Sequence, residues 1–86
     1  VQKEKKMEHE LKIYPTYFEA VISGKKTFEV RKNDRKYRVG DILKLKEWDN
    51  IKYSGREVRA EVIYLIDDKF AGIQPGYVVM GIELIR

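Results

Sequence analysis

Apolar and polar residues alternate one for one along most of this chain, and that period of two constrains the fold more than any other feature. Successive side chains of an extended strand point to opposite faces, so each alternating run describes a strand with one buried side. Residues 9–14 set Leu11 and Ile13 against Glu10 and Lys12. Residues 26–31 set Phe28 and Val30 against a polar row of Thr27, Glu29 and Arg31. In residues 42–48, Leu43, Leu45 and Glu47 share a face opposite Ile42, Lys44, Lys46 and Trp48, so Glu47 continues an apolar row. Residues 56–66 turn Val58, Ala60, Val62, Tyr64 and Ile66 inward, and residues 77–85 place Val78, Met80, Ile82 and Leu84 together.

One segment breaks the period. Pro15 opens a helix in which Phe18, Val21 and Ile22 form a single apolar stripe, and Gly24 ends it. Thr16 and Glu19 have capping-box spacing. So short a helix needs a sheet to lie on. Residues 33–36 and 39–41 read as turns, residues 49–55 as a hairpin loop, and residues 67–75 as a longer connection. Pro75-Gly76 is the signature of a type II turn. The reading is a mainly β (α+β) domain: a small, closed or partly closed barrel of about five strands carrying one short helix. Residues 1–8 are expected to be a frayed tail or appended remnant, and residues 9–86 a single domain.

Composition narrows the chemistry. The 86 residues include no Cys and one His, which excludes disulfides, Cys-ligated zinc and multi-His metal sites, and no cofactor or metal is called for. A Ser-His-acid triad would have to join His9 to Ser23 or Ser54; an ordinary hydrogen bond at a strand end is the expected role of His9. The longest apolar runs, residues 62–66 and 77–82, fall far short of a membrane span, so a cytoplasmic location and no membrane partner are expected.

Charge is unevenly placed. Residues 25–38 hold seven cations against Glu29 and Asp34, whereas the whole chain carries only +4. Such a segment suits a phosphate-bearing partner; a solvated basic loop is the alternative. The modest total favours a short single strand or a nucleotide over a duplex. Lys26, Arg31 and Arg35 are candidates for phosphate or base edges, with Thr27 alongside. Glu29 and Asn33 are candidates for orienting them or reading a base, and Trp48 for stacking. Glu47 either emerges at the barrel mouth or pairs with a cation such as Lys26. Exposed Ile51, Tyr53 and Phe70 would instead serve a protein-binding adaptor.

The string SGKKTFEVR at residues 23–31, followed by Gly40-Asp41 and the strand to Trp48, resembles the ASCH superfamily, whose members have a PUA-like β-barrel fold. Residues 9–49 and the later YSGRE are similar to a small bacterial and phage branch of uncharacterised domains of the DUF3850 kind. The resemblance implies the barrel and a role in binding RNA or a nucleotide. One ASCH branch comprises amidohydrolases that deacetylate N4-acetylcytidine through a Lys after the helix, a Thr three residues on, and a Glu from a later helical insertion. Lys26 matches that Lys, Glu29 occupies the Thr position, and the insertion has no counterpart. An enzyme built here would rely on Lys26, with Glu29 or Glu47 moving the proton.

Overall fold

The alternating runs become five strands of one sheet in a computed structural model that describes residues 6–86. The order along the chain is β1 (Glu8–Ile13), α1 (Pro15–Ile22), β2 (Phe28–Lys32), β3 (Ile42–Trp48), β4 (Tyr53–Ile66) and β5 (Tyr77–Leu84). Across the sheet it is β1-β3-β4-β5-β2, with β1 parallel to β3 and every other pair antiparallel. Of the expected tail, residues 1–5 lie outside the described residues. Glu8 belongs to β1, and the Met7 carbonyl accepts from Ile42 N–H at 2.8 Å.

The helix forms where Pro15 puts it, but without the expected box. Pro15 occupies the first turn, where its missing N–H costs nothing, so the N-cap falls on Tyr14, which makes no side-chain cap bond. Thr16 therefore sits inside the helix rather than before it, and the Glu19 carboxylate goes instead to Arg56. At the other end Gly24 takes φ +82°, and the Lys25 and Lys26 N–H groups both donate to Ala20 O at 2.9 Å. Phe18 and Val21 are buried and Ile22 packs beside them.

Two further boundaries move. The Asp49 carboxylate accepts from Ile51 and Lys52 N–H, each at 2.9 Å, and closes the hairpin so tightly that β4 starts at Tyr53 rather than at residue 56. Between Val62 and Tyr64 the β4–β5 register slips: Val62 faces Ile82 while Tyr64 faces Gly81. An irregularity of this kind resets which side chains point inward. Tyr64, expected inside, is 68% exposed. The Pro75-Gly76 turn forms as the residues demand, with Gly76 at φ +84° and Tyr77 N–H donating to Gln74 O at 3.0 Å.

A flat five-stranded sheet would hold its edges about 19 Å apart, at about 4.8 Å per spacing. Yet arginine side chains from β2 and the turn after it reach the backbone of β1, the opposite edge: Arg31 Nη2 donates to Lys12 O and Arg35 Nη1 to Glu10 O, both at 2.8 Å. The sheet is therefore curled into a half-barrel. Its buried core unites Leu11 and Ile13 with Leu43, Leu45, Ala60, Val62, Val78, Met80 and Ile82, capped by Phe18 and Val21 of the helix and by Tyr37.

Candidate functional site: the seam between β1 and β2

Along β2 Glu29 of the polar row faces in, and the apolar row, Phe28 and Val30, faces out. Glu29 is 3% exposed, whereas Phe28 is 44% exposed and Val30 is open to solvent. An isolated buried carboxylate would cost far more than any packing could return, so this arrangement stands only because Glu29 is fully engaged. Lys26 Nζ donates to Glu29 Oε1 and, at 2.7 Å, to Phe28 O. Arg31 Nε donates to Glu29 Oε2 at 2.9 Å while its Nη2 reaches Lys12 O across the seam. Among the described residues no buried side-chain nitrogen or oxygen lacks a partner. β2 tolerates the inversion because, among the described residues, it is an edge strand paired only with β5, and the seam beside it is spanned by side chains.

The residues turned outward make a groove of about 640 Å3 beside the helix. Lys12, Tyr14, Tyr17, Lys25, Lys26 and Phe28 line it, with Glu29 and Arg31 at its floor. Lys26 Nζ lies 5.0 Å from the centre of the Phe28 ring and 5.7 Å from that of Tyr17. Three exposed aromatic rings share this open groove with three lysines. Its size is that of a small-molecule or nucleotide site.

The sequence-derived candidates divide. Lys26, Glu29 and Arg31 come together as one ion triad. Trp48 stands behind the groove: it stacks on Tyr14 at 5.9 Å between centroids, and Lys12 Nζ lies 4.4 Å over its ring. Arg35 sits farther along the seam. Thr27 borders a different recess, with Ile63 and Ile82, and its carbonyl accepts from Ile82 N–H. Asn33 holds the following loop, its Oδ1 accepting from Tyr37 N–H at 3.1 Å. Glu47 pairs not with Lys26 but with Arg56 at 3.2 Å and Ser54 at 2.7 Å, and Arg56 in turn binds Glu19 and covers Phe18. Arg56 thereby pins the helix to β3, and Glu47 lies outside the groove. The adaptor residues Ile51, Tyr53 and Phe70 are exposed, the first two at the β3–β4 hairpin and Phe70 in the β4–β5 connection.

A second buried polar cluster anchors the opposite end of β1. His9 Nε2 and Asp41 Oδ2 lie 2.8 Å apart; Asp41 also accepts from Met7 N–H at 3.3 Å and Arg38 N–H at 3.0 Å. Tyr37 meets the His9 ring edge-on at 4.8 Å, and burial pushes its phenol above the ordinary value against the opposing pull of Arg35 and Arg31. No group of three or more His, Cys, Asp or Glu among the described residues could hold a metal ion, and no helix there is long and apolar enough to cross a membrane.

Tyr14, Tyr17 and Phe28 were not among the residues read from the sequence as a site. The available signal was positional: two tyrosines at i, i+3 around the helix start and one phenylalanine inside the basic run.

The architecture defines a small mainly β domain whose half-barrel seam carries an aromatic groove edged by lysines. The chain belongs to the family described as Domain of unknown function (DUF3850), whose model matches residues 8–82. It is similar to the "Uncharacterized 12.9 kDa protein in GpA 3'region" of Escherichia phage P2, with 44% identity over 59 residues. That match takes in 69% of this chain and 54% of the relative, so the chain spans about half the length of the phage protein.

Proposed function

We propose that the domain binds single-stranded RNA or a nucleotide, with one base held against the aromatic wall of the seam groove. The observation that carries this reading is the inversion of β2, which sets Phe28 beside Tyr14 and Tyr17 in an open groove with Lys25 and Lys26. Aromatic faces accept any base by stacking, and adjacent ammonium groups meet its phosphate. Glu29 would not repel that phosphate, because its charge is already matched by Lys26 and Arg31. Trp48 backs Tyr14, and Arg31 keeps a guanidinium edge at the groove floor. The resemblance to the ASCH superfamily points the same way.

Binding is read by the fluorescence of the sole tryptophan as short single-stranded RNA or a mononucleotide is added at two salt concentrations. Tyr17→Ala and Phe28→Ala are each expected to weaken binding roughly five-fold or more, from about 1–3 kcal/mol per stacked base. Lys25→Ala should flatten the salt dependence by about 0.7 in log–log slope, as for one phosphate contact on a single strand. Affinity indifferent to all three substitutions refutes the reading. Release of cytidine from N4-acetylcytidine in the same samples would replace it with a hydrolase.

A further inference from the structure

Beyond the groove, the seam carries a second recess of about 420 Å3 lined by Glu10, Lys12, Arg31, Arg35, Lys46 and Tyr53, together with Leu11. Lys12 and Arg31 belong to both cavities, so the two are neighbours along the seam rather than separate sites. The second lining has four cations to one carboxylate. Glu10 is shared with Lys46 at 3.6 Å and Lys44 at 3.9 Å, whereas neither Arg35 nor Lys12 forms an ion pair among the described residues. Arg35 commits Nη1 to the Glu10 carbonyl, which fixes its fork over the recess.

The aromatic residues follow the same line. Tyr14 of the groove stacks on Trp48; Trp48 is the cross-strand neighbour of Tyr53; Tyr53 lines the second recess. A lysine accompanies each of the last two rings, Lys12 over Trp48 and Lys46 over Tyr53 at 4.7 Å. Rings and cations thus alternate from one cavity to the next, the pattern that matches the base-phosphate repeat of a single strand.

We infer that the seam is a two-nucleotide track, a deepening that rests on the proposed function. One base lies in the Tyr17–Phe28 groove, the linking phosphodiester crosses at Lys12 and Arg31, and the next nucleotide enters the recess of Arg35, Lys46 and Tyr53. What is recognised is the phosphodiester with its two flanking bases, a chemistry that RNA and single-stranded DNA share.

The test compares 5′-phosphorylated homodinucleotides with the matching mononucleotides, ribose and deoxyribose series in parallel, by titration of the labelled protein in NMR. A dinucleotide is expected to bind at least roughly five-fold more tightly than its mononucleotide, from the second stacked base. It is also expected to shift Lys46 and Tyr53, which the mononucleotide leaves in place. Tyr53→Ala and Lys46→Ala then bring the dinucleotide back to mononucleotide affinity. A gain in both sugar series supports recognition of phosphodiester and base; a gain confined to ribose overturns that assignment and makes the 2′-hydroxyl the determinant. Mononucleotide binding at the groove with no dinucleotide gain overturns the track and leaves the proposed function standing. Absence of binding by either ligand overturns both.

Discussion

Glu29→Gln tests the reasoning about the inverted strand most directly. The substitution keeps the shape and one acceptor but removes the charge that Lys26 and Arg31 share. Charge-assisted hydrogen bonds contribute about 1.5–3 kcal/mol each, and breaking a fully buried pair costs about 3–5 kcal/mol. Here the carboxylate is buried while its partners keep 17% and 24% of their side-chain surface, so water can take up part of the loss. The expected cost is about 2–3 kcal/mol, which lowers the melting temperature of a domain this size by roughly 10–20 °C. Urea unfolding followed by circular dichroism measures it, with Glu57→Gln as the reference. That carboxylate meets Lys44 at 3.5 Å on an open face, and its loss should cost under about 0.5 kcal/mol. Combining Glu29→Gln with Arg31→Gln should show a coupling of about 1 kcal/mol or more. Glu29→Gln alone leaves Lys26 and Arg31 unmatched beside the groove, so nucleotide affinity should rise as stability falls. A Glu29→Gln cost indistinguishable from that of Glu57→Gln refutes the claim that the triad holds β2 in its inverted setting.

The His9–Asp41 cluster should be as sensitive: Asp41→Ala strips acceptors from His9, Met7 and Arg38 and is expected to cost about 2–4 kcal/mol in urea unfolding. The Tyr37 phenol, raised by burial above 10.0, holds its proton in the folded chain at pH values where the unfolded chain has lost it. Stability is then complete below pH 10 and declines as pH climbs past it, and Tyr37→Phe should flatten that decline in alkaline melts. At the hairpin, the Lys52 N–H, joined by that of Ile51, holds Asp49 below its ordinary 3.8. Its contribution is present above that value and fades as pH falls through the depressed one, so Ile51 and Lys52 amide exchange should accelerate relative to neighbouring amides in acid.

Local patterns carried the elements, and distant partners decided the faces. Leu11, Ile13, Leu43, Leu45, Met80 and Ile82 lie inside as a period of two demands, and Pro15, Gly24 and Pro75-Gly76 punctuate the chain where they stand. The failures occur where one face is chosen by something far away in sequence. Phe28 and Val30 look like the inner row of β2 until Arg31 finds Lys12 O, 19 residues back. Tyr64 follows its alternation until the slip against β5 resets it. Glu47 awaited a cation, and the one that came is Arg56 at the next hairpin strand rather than Lys26. Of the site, the triad was legible because its members sit within six residues. The groove was not, since Tyr14 and Tyr17 reach Phe28 only through the turn at Gly24 and the curl of the sheet.

The pairing of β2 with β5 has a consequence for how the groove comes into being. Lys26, Phe28, Glu29 and Arg31 all lie between residues 26 and 31, yet among the described residues β2, which carries the last three, pairs only with β5, with Glu29 opposite Met80 and Arg31 opposite Val78. A ribosome that has synthesised every groove residue has not yet made the groove. It assembles when residues 77–84 emerge and dock, so a chain cut before β5 carries the full set of recognition residues and none of their arrangement.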